Sequence, residues 1–343
     1  MTEFDSREDS IADIERGLAL ASRYRTTGRL AEAEQTYRQI LANDPQQPVA
    51  LNMLGVLAYF AGETEIAINL IRSAIANAPD YAGAMNNLGN IYKDLGQIEE
   101  AVANYRMAIQ INPEYADAHG NLGVSLHMLG RNEEAIASYQ QALAINPDAA
   151  NTHNNLGNMY KQLGDLDAAV ESYRNAIAAK PDFAEVYGNL GSALKSQGKL
   201  EQAIASYRRA LEINDSLADA HNNLGSALQK TGRLADAITC YTKALDLQPE
   251  YADAHCNLGI ALAAMGRLEA AAASYRRALA IRPDMREAAG SLGTVLLALG
   301  QIDEGLTWEQ QGFGTINFDR TRGIALEIAR PTDADAQTAS GRK

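Results

Sequence analysis

The chain has 343 residues, a formal net charge of −13 and 46% hydrophobic residues. That acidic balance argues against a nucleic-acid backbone as the main partner, because such binding rests on Lys and Arg neutralising phosphates. No apolar run reaches the roughly 18 residues that a membrane-spanning helix needs.

The opening stretch MTEFDSREDS is acidic and polar, without the basic start and apolar run of a secretory signal. Residues 1–13 are read as a polar N-terminal cap, with Ser10 and Asp13 spaced as a capping box for the first helix. The two cysteines, Cys240 and Cys256, make neither a disulfide framework nor a metal motif and fit a reducing, cytoplasmic location.

From residue 14 the sequence repeats every 34 residues. Leucine recurs at 20, 54, 88, 122, 156, 190, 224, 258 and 292. Glycine follows it in every copy except the first, which has Ala21. A second glycine row runs from Gly28 to Gly300 without exception. Proline marks most copies, replaced by Asp215 and Asn317 in two. Nine units are expected, at 14–47, 48–81, 82–115, 116–149, 150–183, 184–217, 218–251, 252–285 and a degenerate 286–319.

Each unit reads as two helices. Helix A runs from just after the proline to the second glycine, which supplies a left-handed terminating residue. In the fourth unit helix B is predicted from about Asn132 to Ile145, stopping before Pro147. Acidic residues such as Glu99, Glu100, Glu133 and Glu134 sit where they complement the helix dipole. Ala135, Ile136, Tyr139, Ala142 and Leu143 follow the spacing of one buried face. Gly123, Ala135 and Ala142 let the two helices approach, while Leu122, Leu126 and Tyr139 fill the space around them. Such wedges cannot bury their apolar faces alone and must stack into a solenoid. Residues 320–343 abandon the period and are expected to form a C-terminal cap and a disordered tail, polar after about Pro331. Phe313, Ile316 and Phe318 are expected to cover the end of the core or to form a docking patch.

The pattern at Leu156, Gly157, Tyr160, Gly164, Ala169, Tyr173, Ala176 and Pro181 resembles the tetratricopeptide repeat (TPR) family. The resemblance covers residues 14–319 and implies an all-α fold, a right-handed superhelical solenoid of about nine units. Departures fall at the ends: Ala21 and Ile40 in the first unit, Ile71 in the second, and Gly305, Glu309 and Gly312 in the ninth. Terminal repeats lack a neighbour on one side and are expected to be atypical.

Catalytic chemistry is sparse. The segment GNLGSALKSQGK lacks the glycine spacing of a phosphate loop and the Ser or Thr after Lys199. No nucleophile elbow, paired catalytic carboxylates or nucleotide fold is recognisable, so no enzyme activity, catalytic residue or cofactor is expected. His119, His153, His221 and His255 share one repeat position. Equivalent residues of neighbouring repeats lie about 8–10 Å apart or more, too far to share a metal ion. No metal site is expected, and the histidines read as filler near the start of helix A.

One polar row asks for more. Asn87, Asn121, Asn155, Asn189, Asn223 and Asn257 precede the leucine in six consecutive repeats, with a partial row at Asn86, Asn154 and Asn222. The TPR resemblance places this position on the concave face. An asparagine amide matches both the C=O and N–H of an extended peptide without reading its side chain. The alternative is that the row only supports packing between repeats. Candidates for selectivity are Lys93, Asp94, His127, Lys161, Lys195 and Lys230, with Asp117, Glu185, Asp219 and Asp253 at the start of helix A; their mixed signs leave the ligand charge open.

The AHxNLG form and the long asparagine row resemble the TPR superhelix of O-linked N-acetylglucosamine transferases. That resemblance implies delivery of polypeptide substrates to a transferase domain, for which 24 residues after the last unit are expected to leave no room. The expected function is a non-catalytic interaction scaffold that binds extended segments of other proteins. The alternatives are a substrate module for a separate glycosyltransferase and a structural protein that oligomerises through its ends.

Overall fold

The computed structural model describes residues 3–313, 315–319 and 323–327. Among them are eighteen α-helices in antiparallel pairs. The A helices are α1 (Glu3–Thr26), α3 (Pro48–Phe60), α5 (Ala82–Asp94), α7 (Ala116–Met128), α9 (Ala150–Gln162), α11 (Ala184–Ser196), α13 (Ala218–Lys230), α15 (Ala252–Ala264) and α17 (Arg286–Ala298). Their partners are α2 (Leu30–Asn43), α4 (Thr64–Asn77), α6 (Ile98–Ile111), α8 (Asn132–Ile145), α10 (Leu166–Ala179), α12 (Leu200–Ile213), α14 (Leu234–Leu247), α16 (Leu268–Ile281) and α18 (Ile302–Phe313). This is the all-α helical-repeat fold that the period predicts.

The ends of the helices follow from local chemistry. Gly130 sits at φ 73°, where a side chain would be strained. There its N–H reaches His127 O at 2.9 Å and Arg131 N–H reaches Leu126 O at 2.9 Å, the paired bonds of a Schellman stop. Helix B ends where the exposed asparagine before the proline bonds to the loop backbone two residues on. Asn112 Oδ1 accepts from Glu114 N–H at 3.1 Å and Asn146 Oδ1 from Asp148 N–H at 3.3 Å.

The recurring seam inside a pair is a ring set against a glycine. A Cβ on Gly123 would lie 2.7 Å from the Tyr139 ring, and one on Gly225 would lie 2.7 Å from the Tyr241 ring. The glycine makes room for the tyrosine rather than for the small residues of helix B. In the second pair Ile71 takes that place against Gly55. In the ninth pair, with Glu309 where the tyrosine stands elsewhere, the helices meet backbone to backbone. A Cβ on Gly293 would lie 2.5 Å from Glu309 N and 2.7 Å from Gly305 O.

The chain divides into two compact units, 1–159 and 160–343. In the first, Ala21, Ala33, Tyr37, Ile40, Ala50 and Leu54 form the core of the leading repeats. In the second, one core runs from Ala169 to Ala261 and another gathers Cys256, Tyr275, Leu292 and Leu296 around the last helices.

Both ends differ from the units drawn on sequence. Residues 3–13, read as a separate cap, are helical and continuous with the first A helix. After α18 a short hairpin pairs β1 (Thr315–Asp319) with β2 (Gly323–Glu327), with Phe318 opposite Ile324. The hairpin straddles the boundary at residue 319, and its second strand lies in the segment expected to form the C-terminal cap. Phe313 is 56% exposed, with its ring set against Gly290. The side chains of Ile316 and Phe318, and residues 328–343, lie outside the described ones.

Candidate functional site

Helix A carries two adjacent asparagine positions that the fold treats differently. Asn86, Asn154 and Asn222 are buried, at 5%, 6% and 7% exposure, whereas Asn87, Asn121, Asn155, Asn189, Asn223 and Asn257 are half-buried. The buried members are covered by their neighbours. Asn86 Oδ1 accepts from Asn121 Nδ2 of the next repeat at 3.1 Å, and Asn222 Oδ1 accepts from Asn257 Nδ2 at 3.0 Å. Asn52, fully buried and one period before Asn86, accepts from Asn87 Nδ2 at 3.1 Å. Sequence reasoning missed Asn52 because Met53 breaks the outer row there, although its register matched.

The braces continue past the asparagines. Asn52 Nδ2 donates to Tyr81 Oη at 3.1 Å, and Asn222 Nδ2 approaches Tyr251 Oη at 3.4 Å. Tyr251 in turn donates to Asp219 Oδ1 at 2.6 Å. Burial and the Asp219 carboxylate push the Tyr251 phenol well above its ordinary pKa. The Asn222–Asn257 bond to the eighth repeat is thus backed by Tyr251 and Asp219 within the seventh. Opposite Asn155 and Asn223 the preceding repeat has Gly120 and Gly188, which offer no acceptor. Asn223 Oδ1 instead accepts from Lys195 Nζ at 3.0 Å.

Within each unit the outer row lines a cavity. In the first, about 370 Å³ is bounded by Asn87, Asn121, Lys93, Asp94, Tyr59 and Phe60. In the second, about 440 Å³ is bounded by Asn189, Asn223, Lys161, Glu185, Asp219 and Tyr207, among others.

Several of the proposed selectivity residues have internal partners. Asp94 accepts from Tyr59 at 3.1 Å and lies 3.6 Å from Lys93. His127 Nδ1 is 3.5 Å from Asn132 Oδ1 at the start of α8. Asp253 pairs with Arg282. Lys161 Nζ is 3.5 Å from Ser192 Oγ, and Lys230 is exposed.

The histidines are structural ties. Nε2 of His119, His153, His221 and His255 lies 2.9–3.0 Å from the carbonyl oxygen six residues earlier, at Pro113, Pro147, Asp215 and Pro249. Each pins the start of helix A to the loop behind it. Among the described residues no cluster of His, Cys, Asp or Glu has metal-binding geometry. Burial raises the Cys240 thiol and pushes Cys256 up to about 12, so both are held as neutral thiols.

Antiparallel helix pairs repeating every 34 residues define a helical-repeat protein. A TPR family model described as the Cilia and flagella-associated protein 70 C-terminal domain matches residues 3–224. One described as Tetratricopeptide repeat matches 222–286 and 257–312. The chain belongs to this TPR family.

No curated protein matches the chain significantly. Among solved structures, the Cut9–Hcn1 hetero-tetramer of APC/C is 21% identical, with TM-score 0.56 over 78% of this chain and 52% of that one. PilF of Pseudomonas aeruginosa is 22% identical, with TM-score 0.55 over 60% and 94%. YrrB, described as a TPR protein with an unusual peptide-binding site, is 25% identical, with TM-score 0.49 over 58% and 98%. Proteins of this repeat class generally mediate protein–protein contacts, and no described helix is long and apolar enough to cross a membrane.

Proposed function

We propose that this chain is a non-catalytic adaptor that holds an extended polypeptide segment of another protein along its A helices. In this reading the outer asparagines grip the backbone of that segment. The observation that carries the reading is the bracing of a half-exposed row by a buried one. Asn121 uses one Nδ2 hydrogen on Asn86, which fixes the rotation of its amide and leaves Oδ1 and the second hydrogen for a ligand. Asn87 and Asn257 are fixed in the same way. A packing role alone would be met by the buried row and gives no reason for half-exposed amides lining cavities.

Each such bond contributes a net ~1 kcal/mol, so a few of them hold a segment weakly once association costs are met. The flanking charges add the selectivity. Asn155→Ala combined with Asn223→Ala tests the reading, because neither residue belongs to an asparagine–asparagine brace. Far-UV circular dichroism and melting temperature are expected to stay at the parental values while photo-crosslinked partner is lost. A lowered melting temperature with capture retained would make the row a packing device instead.

The row's likeness to the superhelix of O-linked N-acetylglucosamine transferases supports a narrower version, a substrate adaptor for a separate transferase. Glycosyltransferase activity in the captured material is its measurement, and captured partners without that activity would remove it.

A further inference from the structure

We propose that the groove of the second unit reads carboxylates through Lys161, Lys195 and Lys230, so that the segment it holds is acidic; the inference rests on the peptide-holding role above. The three lysines end α9, α11 and α13 in successive repeats. Lys195 is half-buried, and its pKa is lowered by burial and by the charges of Lys230 and Lys161. Among the described residues none of the three is in an ion pair. Elsewhere in the same unit several cations are matched, among them Arg209 to Glu212 at 2.9 Å, Arg276 to Glu304 at 2.9 Å and Lys243 to Asp215 at 3.3 Å. A protein of charge −13 therefore gathers three unneutralised cations beside one groove.

A lysine in the last turn of a helix complements the helix dipole by a modest, exposed interaction. That accounts for one lysine per helix, not for a partly desolvated one held against two like charges. The cavity supplies an independent observation. Tyr207, fully buried, lines it with Lys161 and Asn223, and its hydroxyl makes no hydrogen bond of good geometry.

Glu185 and Asp219 also line the cavity, but at the opposite end of the A helices. Ten residues of helix, about 15 Å, separate Glu185 from Lys195. Along the helix this exceeds the ~8 Å Debye length at physiological salt, which weakens the effect of Glu185 on a carboxylate held beside Lys195.

The contact of Lys195 with Asn223 Oδ1, at 3.0 Å, couples charge to backbone recognition. While it stands, the acceptor of that amide is occupied. A ligand carboxylate offers the ammonium a stronger, charge-assisted partner. Lys195 then leaves Asn223, and the amide turns to a ligand N–H. Acidic segments gain twice, through the ion pair and through a released rung.

The test is fluorescence anisotropy of the full chain with dye-labelled peptides of alternating Ser–Glu, Ser–Gln and Ser–Lys. The Ser–Glu peptide is expected to bind roughly tenfold tighter than Ser–Gln, as two to three partly exposed ion pairs allow, and to weaken as salt rises. Combining Lys161→Gln, Lys195→Gln and Lys230→Gln should erase that difference, with Ser–Gln binding retained or slightly tightened because Asn223 is then free of Lys195. Because repulsion is removed, the variant should melt no lower than the parent. Equal parental affinity for Ser–Glu and Ser–Gln overturns the carboxylate lane while leaving the groove intact. Absence of binding by all three peptides sinks the groove reading itself.

Discussion

Gly225 and Gly188 stand on A helices of the same unit and face opposite conditions. A Cβ on Gly225 would sit 2.7 Å from the Tyr241 ring, which is fully buried, whereas one on Gly188 meets nothing within 4 Å. Gly225→Ala is therefore expected to destabilise the protein by about 1–3 kcal/mol through overpacking. Gly188→Ala should be neutral or stabilise by up to ~1 kcal/mol, because alanine is the better helix former. Urea denaturation of the two variants decides it, and equal effects would mean the ring moves aside. At this scale the sequence was only partly legible. The glycine row announced a close approach, but its spacing does not say what approaches. The histidines looked like filler because their partner is a loop carbonyl, and every residue has one. The asparagine doublet hid a division of labour, since adjacent helical positions differ by about 100° in direction and only packing decides which is covered.

Between paired helices the recurring element is a buried tyrosine, and that sets a pH limit. Burial raises the phenols of Tyr105, Tyr139, Tyr173, Tyr207 and Tyr241 far above their ordinary value, and pushes Tyr275 up to about 12. The charged form is the phenolate, so the unfolded chain, with tyrosines near pH 10, releases these protons first. Stability is therefore full below pH ~10 and falls as pH climbs from there towards the folded values, by about 1 kcal/mol per pH unit for each ring. With six rings acting together, the urea midpoint should collapse between pH 10 and 11, with phenolate absorbance appearing in the same step as loss of helix. Phenolate forming before helix loss would contradict the buried seam. Helix positions themselves were readable: α8 spans Asn132–Ile145 as the period and proline predicted. The ninth pair was recognisable as degenerate, yet its backbone-to-backbone contact required knowing that Gly293 meets Glu309 and Gly305. The hairpin after it has no periodic signal to read.

For the whole molecule, stability should behave as a sum over repeats and the interfaces between neighbours. Excising 218–251, one full period inside the second unit, brings Leu217 against Ala252 in unchanged register. The shortened protein is expected to fold, with a smaller urea m-value and the Asn222–Asn257 brace lost. An aggregated or molten product would show that this repeat contributes more than its two interfaces. The same additivity explains why fold class was accessible from one chain: each copy restates the pattern, and errors at the ends do not propagate. The site was less accessible because ligand recognition depends on which amides and ammonium groups remain unsatisfied after packing.

The braces also make the joints between repeats unequal. In the first unit Asn52–Asn87 and Asn86–Asn121 each bolt one A helix to the next, whereas Gly120 opposite Asn155 offers the following joint no such asparagine bolt. In the second, Asn222–Asn257 is bolted and the Gly188–Asn223 joint is spanned by a lysine instead. Under tension from a tethered partner, strain therefore concentrates first at the Gly120 joint, softer by about one hydrogen bond, ~1 kcal/mol, while the Gly188 joint is held by the longer, more pliant lysine side chain. An alternation of asparagine and glycine at one helix position thus gives each unit a stiff joint beside a compliant one.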